Sequence, residues 1–198
     1  MLDLVLETST SVGSIALGNE KVVVQSIEFK APQRHSASLF PALVRLGIPR
    51  LKLRRIIVGL GPGSFSGIRV SLAAAHGLAL VQGVPVIGIA SAYSVAYQYR
   101  DVPKLGIFAD AKRREVFCTA FANGNLERST YLIPIEEIKT HEALFTLVVS
   151  SDPLPGITKR AYPHAKDMLA LPDTLPGWVK DQPLEPIYLR EPVATRPA

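Results

Sequence analysis

A short glycine-rich stretch links two apolar segments of this chain. It reads Gly61-Pro62-Gly63-Ser64-Phe65-Ser66-Gly67-Ile68-Arg69. The apolar run 56–60 before it is typical of a buried strand, and the alanine-rich run 70–81 after it is typical of a helix. The stretch is therefore predicted to be a strand-to-helix loop, in which glycines let the backbone turn tightly and Ser64 or Ser66 caps the helix.

The loop does not match the known phosphate-binding motifs. A strand-to-helix loop can point N–H groups at an anion or at another chain. A Walker A loop would end in Gly-Lys-Ser/Thr, but Gly67 is followed by Ile68 and Arg69, and the dinucleotide spacing of glycines fails as well. From the residues alone, a tight turn in which Gly61, Gly63 and Gly67 serve packing is favoured over an anion site.

Composition indicates a globular protein with an ample core. The 198 residues are 47% hydrophobic and 20% charged, which suggests one large domain or two small ones. The single cysteine, Cys118, lies in an apolar run and is expected to be a buried, inert thiol in a reducing compartment. Because the N-terminus has no signal-peptide pattern and no run is long enough to cross a bilayer, we expect a cytoplasmic protein without membrane contact.

The pattern of apolar residues predicts the same order of elements twice, three strands followed by alternating helices and strands. The bounds predicted in the first part are 2–7, 12–17, 21–29, 34–46, 56–60, 70–81, 84–89 and 91–99. Those predicted in the second part are 105–109, 115–121, 126–133, 135–144, 147–150 and 162–169. We expect an α/β fold of two similar lobes, with mixed sheets flanked by helices. The predicted lobes are residues 1–100 and a truncated 101–190, and residues 191–198 are predicted to be a loose tail.

Five stretches, taken in order, resemble the bacterial TsaB (YeaZ) family. They are Leu6-Glu7-Thr8-Ser9-Thr10, His35-Ser36 with Leu39 and Pro41, the loop Gly61 to Arg69, Asp110-Ala111-Lys112-Arg113 with Glu115-Val116-Phe117, and Pro186-Ile187-Tyr188-Leu189-Arg190. The resemblance runs over nearly the whole chain, and the loop is its most specific part. The chain departs from the family's pattern at Glu7, Lys112 and Ser66, where an aspartate, an arginine and a threonine are usual, and its second lobe is shorter.

The resemblance implies a fold similar to that of actin, the sugar kinases and the heat-shock chaperone ATPases, with two ribonuclease-H-like lobes. It implies a non-catalytic scaffold or activator of the complex that transfers a threonylcarbamoyl group to adenosine 37 of tRNA. The implied partners are a paralogous catalytic subunit, TsaD, and an ATPase, TsaE, and a second copy of the chain would form a homodimer when it is alone. The tRNA would be bound mainly through the complex.

The wider superfamily leaves one alternative open, a small ATPase or kinase of the same fold. Ligands for phosphate and Mg²⁺ would lie after the first strand of each lobe, at Glu7, Thr8, Ser9, Thr10 and Asp110. Because the glutamate is longer than the usual aspartate and the second lobe lacks a glycine pair for adenosine, we expect a vestigial nucleotide site. We expect neither a metal nor another cofactor, because the histidines are dispersed along the chain.

The apolar helices of the first lobe predict a contact with another protein. The helix after the loop is apolar on nearly all sides and must be covered on each of them. Together with the resemblance, this predicts a helix-bundle interface with the partner, with the glycine loop setting the angle of the docking helix. The predicted interface residues are His35, Leu39, Leu43, Ile68, Arg69, Leu72, Ala75, His76 and Ala79. Alternatively, the two helices only cover each other.

Basic residues cluster at two places in a chain whose net charge is +5. The clusters are Arg50, Lys52, Arg54 and Arg55, and then 112–114. Such runs are typical of solvated surface. No aromatic residues are interleaved with them, so base stacking is not indicated, and the functional interpretation is a weak electrostatic contribution to tRNA binding by the complex.

Overall fold

The computed structural model describes residues 1–30, 35–180 and 184–189, without the side chains of His35 and Pro49. In these ranges the strands are β1 (Leu2–Glu7), β2 (Val12–Asn19), β3 (Val22–Lys30), β4 (Leu53–Gly59), β5 (Val86–Ile89), β6 (Lys104–Lys112), β7 (Glu115–Ala122), β8 (Asn125–Pro134), β9 (Leu147–Ser150) and β10 (Trp178–Val179). The α-helices are α1 (His35–Arg45), α2 (Phe65–Gln82), α3 (Ala92–Gln98), α4 (Ile138–Glu142) and α5 (Ala165–Ala170). Single 3-10 turns lie at Ile48–Arg50 and Ile135–Glu137. The predicted loose tail lies outside the described residues.

The strands form two mixed sheets that repeat one strand order. The first sheet has the order β10-β5-β4-β1-β2-β3, with β1 to β3 antiparallel and β4 and β5 parallel to β1. The second has the order β8-β7-β6-β9, with β6 to β8 antiparallel and β9 parallel to β6. Numbered within its own lobe, each sheet contains the order 3-2-1-4. The predicted α/β fold of two similar lobes, the second one smaller, is confirmed.

Most predicted elements are present, with corrections at their ends. Helix α2 begins at Phe65 rather than at residue 70, so the second half of the predicted loop is helical. The helix predicted over 135–144 is a 3-10 turn followed by the short α4, and α5 begins at Ala165 rather than at 162 because Pro163 precedes it. Strand β10 was not predicted, because a strand of two residues is too short to show an alternating apolar pattern. The remaining elements end within three residues of their predicted bounds.

Strand β1 lies at the centre of the first sheet and sends its side chains into two different cores. Leu4 and Leu6 join the apolar cluster under α1 and α2, and Val5 points to the opposite face and joins the cluster between the two sheets. A third cluster lies behind the second sheet. The first sheet is therefore covered by α1 and α2 on one face and by α3, α5 and the second lobe on the other.

After β9 the chain returns to the first lobe. Helix α5 packs on β1, β2 and β3, and β10 pairs with the edge strand β5. Leu184 and Ile187 join the apolar cluster under α1 and α2. The predicted boundary at residue 100 lies between the strands β1 to β5 and the strands β6 to β9. The assignment of the C-terminal segment to the second lobe stays a prediction.

Candidate functional site

The side chain of Glu7, at the end of β1, is fully buried and forms hydrogen bonds with other residues of the chain. Its Oε1 accepts a hydrogen bond from the Ser9 amide at 2.6 Å, and its Oε2 accepts one from the Ser91 hydroxyl at 2.7 Å. A Cβ at Gly59 would lie 1.8 Å from that Oε2, so only glycine fits beside the carboxylate. Burial raises the pKa of Glu7, and the hydrogen bonds from Ser9 and Ser91 oppose this rise. Both carboxylate oxygens are thus occupied by donors of the chain itself.

Thr8 and Ser9 hold the glycine loop against the end of β1. The Thr8 hydroxyl donates to the Gly67 carbonyl at 2.8 Å, and the Ser64 amide donates to the Ser9 carbonyl at 2.6 Å. A Cβ at Gly63 would lie 2.1 Å from the same Ser9 oxygen, so the close approach requires glycine. The Ser64 hydroxyl in turn accepts a bond from the Gly67 amide at 3.3 Å. The amides of Ser64 and Gly67 are therefore used inside the fold and are not offered to an anion.

Asp110, the second-lobe residue of the predicted nucleotide site, is paired with Lys112. Its Oδ1 accepts a bond from the Lys112 amide at 2.7 Å, and its Oδ2 lies 2.6 Å from the Lys112 Nζ. Burial acts to raise the pKa of Asp110, but the bonds and the charge of Lys112 outweigh it and hold the pKa below its usual value. A lysine of the same chain therefore neutralises the carboxylate that a Mg²⁺ would need.

A small cavity lies between the two lobes, beside the predicted nucleotide-site residues of the first lobe. The cavity there has a volume of about 30 Å³ and is lined by residues of both lobes, Ser9 and Thr10 among them. Ligand pockets measure roughly 300–1,000 Å³. Neither Glu7 nor Asp110 is among the described residues that line it, and the Thr10 hydroxyl donates to the Val12 carbonyl at 2.9 Å. Of the residues predicted for nucleotide binding, Ser9 and Thr10 line this cavity, and its volume is far below that of a ligand pocket.

Most of the predicted interface residues belong to the chain's own core. Helices α1 and α2 pack together over the first sheet and share one apolar cluster with it. The buried residues, with exposures between 0% and 9%, are Leu39, Leu43, Ile68, Leu72, Ala75 and Ala79. Their helical spacing marks the face that covers the sheet, so in this structure they are not available to a partner. Arg69 and His76 are exposed, and the side chain of His35 lies outside the described residues.

The outer faces of α1 and α2 carry a different, exposed set of residues, which we call the helix seam. The helix seam consists of Ala37, Phe40 and Val44 on α1 and of Ser66, Arg69, Ala73, His76 and Leu80 on α2. Phe40 is 51% exposed, Val44 is 69% exposed and Leu80 is 87% exposed. Sequence reasoning missed these three residues, although Phe40 and Val44 are spaced four apart and so form a second apolar face on α1.

Two stretches that carry the family resemblance contact each other at the start of α2. The rings of Phe65 and Tyr188 lie 5.6 Å apart, and the Arg69 guanidinium lies 5.0 Å from the Phe65 ring. The amide of Ile187 donates to the Leu60 carbonyl at 2.9 Å. The C-terminal segment is therefore packed against the glycine loop, a contact between residues too distant in sequence for periodicity to reveal.

Among the described residues, neither the cysteine nor a cluster of metal-binding side chains forms a second site. Cys118 is buried as predicted, its thiol donates to the Tyr131 hydroxyl at 3.1 Å, and burial raises the pKa of the thiol to about 11. Over the described ranges, no group of three or more His, Cys, Asp or Glu side chains is arranged to hold a metal ion. None of the helices in these ranges is both long enough and apolar enough to span a membrane.

A family sequence model and several known proteins match this chain. The sequence model of the family described as "TsaD: tRNA N6-adenosine threonylcarbamoyltransferase" matches residues 30–139. An uncharacterized protein of Mycobacterium tuberculosis is 27% identical over 82% of this chain and 76% of its own length. The Escherichia coli protein named "tRNA threonylcarbamoyladenosine biosynthesis protein TsaB" is 29% identical over 58% of this chain and 52% of its own length.

A solved structure shares the fold. A Pseudomonas aeruginosa protein described as having similarity to peptidase YeaZ superposes with a TM-score of 0.73 at 24% identity, over 96% of this chain and 99% of that one. The chain belongs to the tRNA N6-adenosine threonylcarbamoyltransferase family defined by the matching sequence model.

Proposed function

We propose that this chain is a non-catalytic scaffold subunit in the biosynthesis of threonylcarbamoyladenosine on tRNA. Its role is to dock the paralogous catalytic subunit, TsaD, which acts with the ATPase TsaE. The name of the Escherichia coli relative supplies the pathway. The observation that carries the docking role is the helix seam on α1 and α2.

The spacing of the helix seam is that of a helix that packs lengthwise against another helix. On α2, successive seam residues from Ser66 to Leu80 are alternately three and four positions apart. The three seam residues of α1 follow the same alternation. This is the repeat of the a and d positions of a coiled coil or helix bundle, in which such residues face the partner. Two adjacent helices with this pattern favour a partner that also presents two helices.

The composition of the helix seam supports a close and specific contact. The large apolar side chains Phe40, Val44 and Leu80 are the exposed anchors. Ala73 and Gly77 are exposed in the middle of α2 and are small enough to let a facing helix approach. Arg69 and His76 place polar groups at two seam positions, and polar residues at such positions specify register and partner choice at some cost in stability.

The nucleotide-site residues support a role without catalysis. Both oxygens of Glu7 are engaged by Ser9 and Ser91, Asp110 is paired with Lys112, and the cavity beside Ser9 and Thr10 is about 30 Å³. The alternative function, a small ATPase or kinase, would need this region to open and these carboxylates to be released.

The substitution Ala73→Glu tests the docking surface. Ala73 is exposed, and glutamate is a good helix former, so the fold should survive. A charge in the middle of the contact should weaken binding to the catalytic paralogue by at least about tenfold, as for a residue at an interface centre. Size-exclusion chromatography with light scattering of the mixed proteins measures this. The isolated wild-type chain should form a dimer through the same seam, which the substitution should also weaken.

Ala143→Glu is the matched control, because Ala143 is exposed at the end of α4 in the second lobe. It changes the net charge equally and should leave the complex intact. A complex that forms normally with Ala73→Glu would mean that the helix seam is not the docking surface.

A further inference from the structure

A second surface, separate from the helix seam, lies where the last turn of α2 meets the start of β4. It is an open groove of about 750 Å³, which we call the basic groove. Buried Leu53 and half-buried Leu78 form part of its floor, and Val81 is 85% exposed at its side. Val81 lines the same groove as Leu51, Leu53, Leu78 and Val84, and a contiguous apolar surface of this kind is typical of a contact with another molecule.

The rim of the groove is positively charged. Arg50, Lys52 and Arg54 line it, and no carboxylate is among its described lining residues. Arg54 donates to Asp3 at 2.6 and 2.8 Å, but Asp3 also accepts a bond from Arg55 at 2.9 Å. Within the described part of the chain, neither Arg50 nor Lys52 lies within salt-bridge distance of a carboxylate.

The end of α2 does not cancel this charge. A helix C-terminus carries roughly half a negative charge, and the last turn of α2 has no basic residue of its own. Arg50 and Lys52 alone exceed that half charge, and Asp3 is already shared by Arg54 and Arg55. The groove therefore keeps a net positive rim around an apolar floor.

We propose that the basic groove binds an acidic amphipathic segment of a partner protein. Carboxylates of the segment would pair with Arg50 and Lys52, and its apolar side chains would cover Leu78 and Val81. Recognition of an amphipathic segment by an apolar groove with complementary charge is a common mode of peptide binding. The inference rests on the groove's own shape and charge, and it does not depend on the proposed function.

The lining favours a protein segment over a nucleic acid. Non-specific RNA binding combines cations with aromatic side chains on which bases stack, and no aromatic residue is among the described residues of the groove. Phosphates on the rim would also leave the exposed side of Val81 without a contact, whereas a leucine or isoleucine of a peptide would cover it.

Fluorescence anisotropy with a synthetic peptide tests the proposal. The probe is a fluorescein-labelled helical peptide of leucine, alanine and glutamate, with leucines at i, i+3, i+4 and i+7. One comparison peptide has lysine in place of glutamate, and another has serine in place of leucine. We expect saturable binding of the acidic amphipathic peptide only. The variant Arg50→Glu with Lys52→Glu should bind it at least about tenfold more weakly.

The variant Lys139→Glu with Lys159→Glu is the matched control, because both lysines are exposed in the second lobe and the change in net charge is the same. It should bind the peptide as the wild type does. If the double variant in the groove does not fold by circular dichroism, Lys52→Glu alone replaces it, with Lys139→Glu as its control.

Three outcomes would overturn the proposal. The first is that the acidic peptide does not bind at millimolar concentration. The second is that the lysine peptide binds equally well. The third is that the control variant loses as much affinity for the acidic peptide as the groove variant does. Total tRNA serves as the second probe. If the groove variant loses affinity for tRNA and not for the acidic peptide, the groove is a nucleic-acid site and the proposal fails.

Discussion

At the scale of single residues, Glu7 shows which parts of the candidate site a sequence can reveal. Its place at the end of the first predicted strand, followed by three hydroxyl residues, matches the position at which the superfamily resemblance implies a nucleotide site. Its partners could not be predicted in the same way. Ser91 is 84 positions away and Gly59 lies on β4, so only strand pairing brings them to the carboxylate.

The substitution Glu7→Gln should change how stability depends on pH. A carboxyl whose pKa is raised by burial holds its proton more tightly in the folded state than in the unfolded one. The wild type should therefore lose stability as the pH rises from the usual glutamate pKa of 4.5 through the folded pKa. The variant lacks this titration. Over the same pH range, its free energy of unfolding minus that of the wild type should therefore grow by about 1.4 kcal/mol for each unit by which folding raises the pKa of Glu7.

Urea unfolding of both proteins between about pH 4 and pH 7 measures this difference. Glu127→Gln is the control, because Glu127 is exposed, and its stability curve should run parallel to that of the wild type. A difference between Glu7→Gln and wild type that stays constant with pH would show that Glu7 is not titrating as a buried acid.

At the scale of elements, helix α2 began earlier than its sequence pattern predicted. Gly67 resembles a loop residue, but it lies in the first turn of the helix, where Thr8 bonds to its carbonyl. The two serines of the loop were equal candidates for the cap. In the structure the cap is Ser64, whose hydroxyl accepts a hydrogen bond from the Gly67 amide. Ser66 is exposed and lies inside the helix.

The substitution Ser64→Ala should destabilise the protein by about 0.5–2 kcal/mol, because the Gly67 amide loses its acceptor. Ser66→Ala is the comparison, because the Ser66 hydroxyl is exposed and makes only a 3.4 Å contact with the Ser64 hydroxyl, and it should change stability by less than about 0.5 kcal/mol. Chemical denaturation of the two variants gives both values. Equal losses from both would mean that Ser64 is not the cap.

Helix α1 shows why the docking residues were harder to predict than the helix itself. It has one apolar pair at Leu39 and Leu43 and another at Phe40 and Val44, each four residues apart. Either pair could face the sheet, and the sequence pattern alone does not distinguish them. Packing in the structure buries the first pair and exposes the second. The predicted docking helix was therefore retained as a proposal, with a different face toward the partner.

At the scale of the whole molecule, the repeated order of elements along the chain was predictable because each lobe has its own run of apolar patterns. The return of the chain to the first lobe was not. Strand β10 is two residues long and depends on pairing with Gly88 and Ile89, and Leu184 lies in a proline-rich stretch without a period. These contacts join segments far apart in sequence, so they follow from the folded arrangement and not from local pattern.

The transfer of a labelled threonylcarbamoyl group to tRNA, in a reaction reconstituted from this chain, the catalytic paralogue and the ATPase, tests the scaffold role most directly. Two variants separate the scaffold from the enzyme. Glu7→Gln with Asp110→Asn removes the carboxylates of the nucleotide site, and Ala73→Glu disrupts the helix seam. A scaffold role predicts near wild-type transfer with the carboxylate variant, and with Ala73→Glu it predicts transfer reduced toward the level measured without the chain. Loss of transfer with the carboxylate variant and normal transfer with Ala73→Glu would contradict it.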